Sequence, residues 1–205
     1  SRQYRTAVKE ATRRGDIVDA RDRRLAVSIA TDSLYADPKK IKDAKAAAAK
    51  LSPLLGFSRK ELEQAFTSER RFVWLKRWAS PKLIDDVMSM DIEGVYKVAE
   101  HRRMYPNGTL ASNILGAVGL DGRPLGGIEL HYDSVLSGAE RSDVVYRRDA
   151  KGRIYVDPAP DSVYDKPKKI VLTIDKTIQY IAESYLESAV NSEGAKSGSA
   201  IVIDP

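Results

Sequence analysis

Two histidines and no cysteine limit the chemistry this chain can attempt. Without thiols there is no disulfide and no thiolate nucleophile, and the compartment is left open. His101 and His131 are not at the short spacing that helix- or loop-borne metal sites use, so no metal site and no cofactor is expected. A Ser/His/Asp hydrolase would need a nucleophile elbow, and no Gly-x-Ser-x-Gly occurs. Asn107-Gly108-Thr109 spells a glycosylation sequon but reads as a turn after Tyr105-Pro106. Trp74 and Trp78, with Lys76 and Arg77, have the composition of a stacking platform for a base or sugar. As alternating strand residues they are expected instead to be core or partner contacts.

The elements that must position these residues follow from charge and hydropathy patterns. The net charge of +5 is spread among nearly as many acids, so no nucleic-acid footprint is expected. No apolar run reaches eighteen residues, and Ser1-Arg2-Gln3-Tyr4-Arg5 lacks the layout of a signal peptide. Residues 25–30 predict a strand. Asp37-Pro38 predicts a helix start, with Ile41, Ala44, Ala48 and Leu51 at helical spacing and Ser52-Pro53 ending or bending the helix. Ser58-x-x-Glu61 is a capping box ahead of Leu62, Ala65 and Phe66. Residues 72–79 predict a strand with Phe72, Trp74 and Trp78 on one face and Val73 and Leu75 on the other. Ser80-Pro81 opens another helix, and residues 95–105 are again extended.

Residues 107–127 hold six glycines around a short apolar stretch, Ile114-Leu115, and predict ordered turns. Ile128, Tyr132, Val135 and Leu136 predict one helix stopped by Gly138. Residues 143–149 and 153–157 predict a β-hairpin through Ala150-Lys151-Gly152, and residues 157–169 a surface connection. Residues 169–174 predict a strand and Asp175 a helix cap. Ile178, Ile181, Ala182, Tyr185, Leu186 and Ala189 then form one apolar stripe. Ser199-Ala200-Ile201-Val202-Ile203 predicts a strand needing cover on both faces, as in a chain cut from a longer protein.

Four separated motifs carry a resemblance. Arg14-Gly15-Asp16-Ile17-Val18-Asp19 with Leu25-Ala26 resembles the first box of class B penicillin-binding proteins, Arg-Gly-x-Ile-x-Asp-Arg-x-Gly-x-x-Leu-Ala. Arg103-Met104-Tyr105-Pro106-Asn107-Gly108, with Ala111 and Leu115-Gly116, is similar to their Arg-x-Tyr-Pro-x-Gly box. Gly126-Gly127-Ile128-Glu129, then Tyr132-Asp133, Leu136 and Gly138, resembles their Gly-x-Glu-x-x-Tyr/Phe-Asp-x-x-Leu-x-Gly box. Leu172-Thr173-Ile174-Asp175, Gln179 and residues 197–204 are similar to the passage into the transpeptidase domain. Residues 25–38 and 72–81 look most like the septal cell-division members, and an elongation-type member is the alternative. Ala20 stands where the first box usually has Arg, and Arg23 where it usually has Gly, so that turn is expected to be built differently.

The resemblance implies an α+β fold: an elongated pedestal of residues 1–30 and 95–205 carrying a small inserted α/β head of residues 31–94. From about residue 197 the first strand of a transpeptidase domain would begin. It further implies that Arg14, Arg103 and Glu129 meet in charge-assisted pairing and lock the pedestal. Asp19, Tyr105, Pro106, Gly108, Gly127, Tyr132 and Asp133 would support them. The whole protein would be a serine D,D-transpeptidase, but no Ser here has Lys three residues later, so this segment is expected to be non-catalytic. Lys196-Ser197-Gly198 spells a third transpeptidase motif where the family has an ordinary connector. The implied partners are the absent transpeptidase domain, the SEDS glycosyltransferase FtsW and the FtsQ/FtsL/FtsB assembly, outside the cytoplasmic membrane, with an anchor upstream of Ser1. A free-standing basic module for nucleic acid or anionic polymer is the competing class, and salt-dependent DNA binding would distinguish it.

Overall fold

The computed structural model describes residues 13–138, 145–148, 154–157 and 166–203. The amino-terminal segment, the hairpin turn at 150–152 and most of the 157–169 connection lie outside the described residues. The α+β fold expected from the sequence is found, and the described residues divide into two compact units, one of residues 30–102 with 145–148 and 154–157, and one of residues 13–29, 103–138 and 166–203. The boundaries fall inside two long strands, β2 (Arg24–Ala36) and β4 (Val95–Met104).

In the first unit, β2 pairs antiparallel with β3 (Val73–Ala79), and β4 pairs with β2. Helices α1 (Ala44–Leu55), α2 (Arg59–Phe66) and α3 (Pro81–Met88) supply Leu51, Leu62, Phe66, Ile84 and Val87 to a core shared with Leu34, Ala36, Leu75 and Val95. The caps are local and lie where the sequence places them: Ser58 and Glu61 form a complete capping box, and Ser80 accepts from the Leu83 N–H. Two helix boundaries differ from the sequence reading. Asp37-Pro38 opens only a 3-10 turn, and α1 starts later, capped by Asp43. Pro53 does not end α1, which continues to Leu55 and stops at Gly56 in left-handed geometry, the conformation glycine adopts without strain.

Two bulges break the alternation of β3. Asp32 faces Ala79 and Leu34 faces Lys76, so Arg77 and Trp78 together oppose Ser33, with Trp78 at φ 52°. A second shift places Tyr35 opposite Trp74. Phe72, Trp74 and Trp78 do share one face as expected, but Arg77 joins them because a bulge re-aims side chains.

The short hairpin β5 (Val145–Arg148) and β6 (Ile154–Asp157) pairs in the expected antiparallel register.

In the second unit, β1 (Ile17–Val18) pairs antiparallel with the start of β2 and parallel with β7 (Ile170–Val171), which is much shorter than the predicted 169–174. Ile17, Leu25, Ala26, Leu115 and Leu136 form its core. After α4 (Ser112–Leu115), the helix expected over 128–138 is two short ones, α5 (Gly127–His131) and α6 (Asp133–Ser137), broken at Tyr132. Asp175 caps α7 (Lys176–Ser192) through the amides of Thr177 and Ile178. The apolar stripe of α7 is present but exposed, Tyr185 at 76%. Residues 199–203 form no strand; Ala200 and Val202 lie beside that stripe, and among the described residues nothing pairs with their backbone. A strand needs such a partner for its N–H and C=O groups.

Candidate functional site

The second unit brings together residues up to 119 positions apart around one fully buried carboxylate. Arg14 precedes β1, Arg103 lies near the end of β4, and Glu129 sits in the first turn of α5. Arg14 donates through Nε to Glu129 Oε2 at 2.9 Å and through Nη2 to the Glu129 carbonyl at 2.9 Å. Its remaining Nη1 donates to Asp133. Arg103 Nε donates to the other carboxylate oxygen at 2.6 Å, and its Nη1 to the Gly15 carbonyl at 2.9 Å. Tyr105 donates its hydroxyl to the same oxygen at 3.2 Å. Both arginine side chains are only 5% exposed, so the two carboxylates match two guanidinium groups in a site largely closed to water. Burial, together with the negative charge of Glu129, pushes the Tyr105 hydroxyl up to about 12 against the opposing Arg103.

The glycines of the boxes explain how the backbone closes on this cluster. Gly127 has φ 59°, and a Cβ there would lie 2.4 Å from the Ile114 carbonyl oxygen. Gly108, at φ 63°, closes the turn opened by Pro106 through a bond from its N–H to the Tyr105 carbonyl, in open space. Tyr132 stands apart from the cluster, 39% exposed and edge-on to His131. Ser28, missed in the sequence, accepts from the Arg14 N–H and from Arg103 Nη1. A hydroxyl inside an apolar strand gives no signal of its own.

Asp19 anchors a second cluster. Its Oδ1 accepts from the backbone N–H groups of Arg21 and Arg23, and its Oδ2 from Arg23 Nε at 2.7 Å and the Lys176 N–H at 2.9 Å. Arg23 also donates to Asp175 and Thr177, both at 2.7 Å, so it ties the β1–β2 turn to the start of α7. The residue in the left-handed region is Asp22, at φ 62°, which is the position the family glycine reaches by count; Arg23 is the neighbour that makes the ion pairs. That corrects the sequence reading, and Asp is one of the residues that tolerates this conformation.

Burial opposes ionisation of Asp19, but the Arg23 hydrogen bond and three backbone N–H donors outweigh it and hold the carboxyl well below its usual range. A depressed carboxylate stabilises the fold above its unfolded pKa and loses that contribution as pH falls through the acid range. Asp19→Asn turns an amide NH2 toward two donors and is expected to cost about 2 kcal/mol at neutral pH. Denaturant midpoints measured against pH should show that difference shrinking toward pH 2.

Trp74 and Trp78 belong to the other unit, as do Arg77 and Glu100. Among the described residues, no group of His, Asp and Glu is arranged to hold a metal ion, and no helix is long and apolar enough to cross a membrane.

Residues 9–123 match the family model described as the penicillin-binding protein dimerisation domain. The chain belongs to that family, as an amino-terminal module of a class B penicillin-binding protein. It is 34% identical over its whole length to the probable peptidoglycan D,D-transpeptidase PenA of Neisseria gonorrhoeae, spanning 36% of that protein. It is 30% identical over 95% of its length to the peptidoglycan D,D-transpeptidase FtsI of Escherichia coli K12, spanning 34% of it. The chain thus covers about a third of the curated relatives it matches. The fold recurs in penicillin-binding protein 2X of Streptococcus thermophilus, with a TM-score of 0.61 at 21% identity over 89% of this chain and 31% of that one. It recurs too in the Helicobacter pylori complex of PBP2 with MreC, with a TM-score of 0.62 at 20% identity over 86% of this chain and 38% of that one.

Proposed function

We propose that the chain is the non-catalytic pedestal of a septal peptidoglycan D,D-transpeptidase, carrying the catalytic domain away from the cytoplasmic membrane on its outer face and docking division proteins. The observation that carries this reading is the Glu129 cluster, which joins the segment just before β1, the end of β4 and α5 through buried charge-assisted bonds. A unit locked in this way suits a load-bearing arm better than a reacting site: among the described residues its charges are spent on one another. The exposed stripe of α7, with Ile178 at 49% and Tyr185 at 76%, supports an adjoining catalytic domain as its cover. In this reading the upstream segment leads to a membrane anchor, and the partners are FtsW and the FtsQ/FtsL/FtsB assembly. The septal assignment is supported by the FtsI likeness.

The Helicobacter pylori PBP2 was solved with MreC, and that is the alternative partner to test. Purified chain mixed with the extracytoplasmic FtsQ/FtsL/FtsB assembly, or with MreC, and run on size exclusion separates the two. Co-elution with the division assembly supports the septal reading. Co-elution with MreC alone overturns it in favour of an elongation role.

A further inference from the structure

The helices α1 to α3 cover one face of the β3-β2-β4 sheet, and the other face carries a stack that the reading above does not use. Period-two alternation places Tyr96, Val98, Glu100 and Arg102 of β4 on that face, and the β3 bulge adds Arg77 and Trp78. Glu100 is buried and pairs with Arg77, whose guanidinium lies 4.9 Å from the Trp74 ring centre and 5.3 Å from that of Trp78. Ser33 helps to hold the bulge, donating to Glu100 and accepting from the Trp78 N–H. The inner stack is therefore neutral and fixed. Its outer member is different: Arg102 is exposed, sits 5.0 Å over Trp78, and forms no ion pair among the described residues.

At the other end of the same row, Lys40 lies 5.5 Å over Tyr96. It makes no ion pair of its own among the described residues; the neighbouring Glu93 is held by Lys42 at 2.8 Å and interacts with Lys40 only through the longer-range charge. Tyr96 and Arg102 are six residues apart on one strand, about 20 Å. Two preorganised cations thus bracket a partly exposed aromatic and aliphatic strip, and the carboxylate between them is buried and spent.

We propose that this face docks an extended acidic segment of a partner protein, whose carboxylates meet Arg102 and Lys40 while its apolar side chains lie on Tyr96, Val98 and Trp78. Charge complementarity selects the occupant: the rings already have cations over them, which leaves less bare ring surface for a sugar, and the free charges are positive. The inference deepens the docking role proposed above but does not depend on which partner is septal.

Both tryptophans of the chain lie on this face, so intrinsic fluorescence reports the site directly. The probe is a capped octapeptide alternating Glu and Leu, titrated into the whole 205-residue chain at low salt. A saturable fluorescence change is expected, weakened about tenfold by Arg102→Glu and little by Lys50→Glu, which makes the same charge change on α1. Equal weakening by both variants would reduce the effect to net charge and overturn the proposal. So would no saturable change, or saturation by a muramyl glycan fragment but not by the peptide. A penicillin-reactive parent protein with no peptide binding would leave the pedestal reading standing and remove this inference alone.

Discussion

Glutamine at position 129 is expected to lower the thermal midpoint of the unit that contains it by about 15 °C or more, the largest effect expected of an isosteric change among the described residues. Glu129 is fully buried and accepts on one oxygen from Arg14 and on the other from Arg103 and Tyr105. Glutamine keeps the shape, removes the charge and turns an NH2 group toward one of the guanidinium groups. Arg14 retains Asp133, whereas Arg103 is left with neutral acceptors at 5% exposure. Removing one partner of a buried pair costs about 3–5 kcal/mol, because the other charge stays buried without compensation. A surface pair gives the contrast. Lys97 lies 3.1 Å from Asp32 with side chains 52% and 33% exposed, and Lys97→Ala should change stability by no more than about 0.5 kcal/mol. Calorimetry on the two variants distinguishes them, and an unchanged midpoint for Glu129→Gln would show that the cluster contributes little.

The second large effect is Gly127→Ala, read against Gly108→Ala. Both glycines lie in the left-handed region, where an L side chain costs about 1–2 kcal/mol. At Gly108 the added methyl meets nothing, so the backbone cost is the whole cost. At Gly127 the methyl would lie 2.4 Å from the Ile114 oxygen and 2.5 Å from the Gly116 nitrogen, both backbone atoms that cannot swing aside. The start of α5 must move, and Glu129 moves with it. The expected loss is about 4 kcal/mol or more, against about 1 kcal/mol at position 108. Denaturant midpoints of the two variants measure the difference; equal values would mean that α5 shifts at little cost.

What the sequence made legible was local. Ser58, Ser80 and Asp175 cap helices within three residues of themselves, and those helix starts were read correctly. Pro53, expected to end or bend α1, does not end it, because a proline in the last turn forfeits one hydrogen bond and can be carried by the packing of Leu51 and Leu55. The apolar run at 199–203 has strand composition, but composition supplies no neighbour to pair with. The bulge at Arg77-Trp78 arises from pairing with β2, a distant segment, which periodicity does not report. Arg14, Arg103 and Glu129 were legible as a set only through the resemblance to a family, since nothing in their spacing of 26 and 115 residues connects them. Arg23 was read as a departure from a glycine, whereas its side chain joins Asp19 to Asp175 and Thr177.

The central claim is that this chain is the non-catalytic pedestal of a penicillin-reactive transpeptidase, and intact-protein mass after incubation with a penicillin tests it most directly. The measurement is made on this chain and on the same protein extended through the region its relatives carry beyond it. A single adduct on the extended protein and none on the 205-residue chain is the expected result. No adduct on either would contradict the transpeptidase reading, and an adduct on the short chain would show that catalysis resides where Lys196-Ser197-Gly198 was set aside.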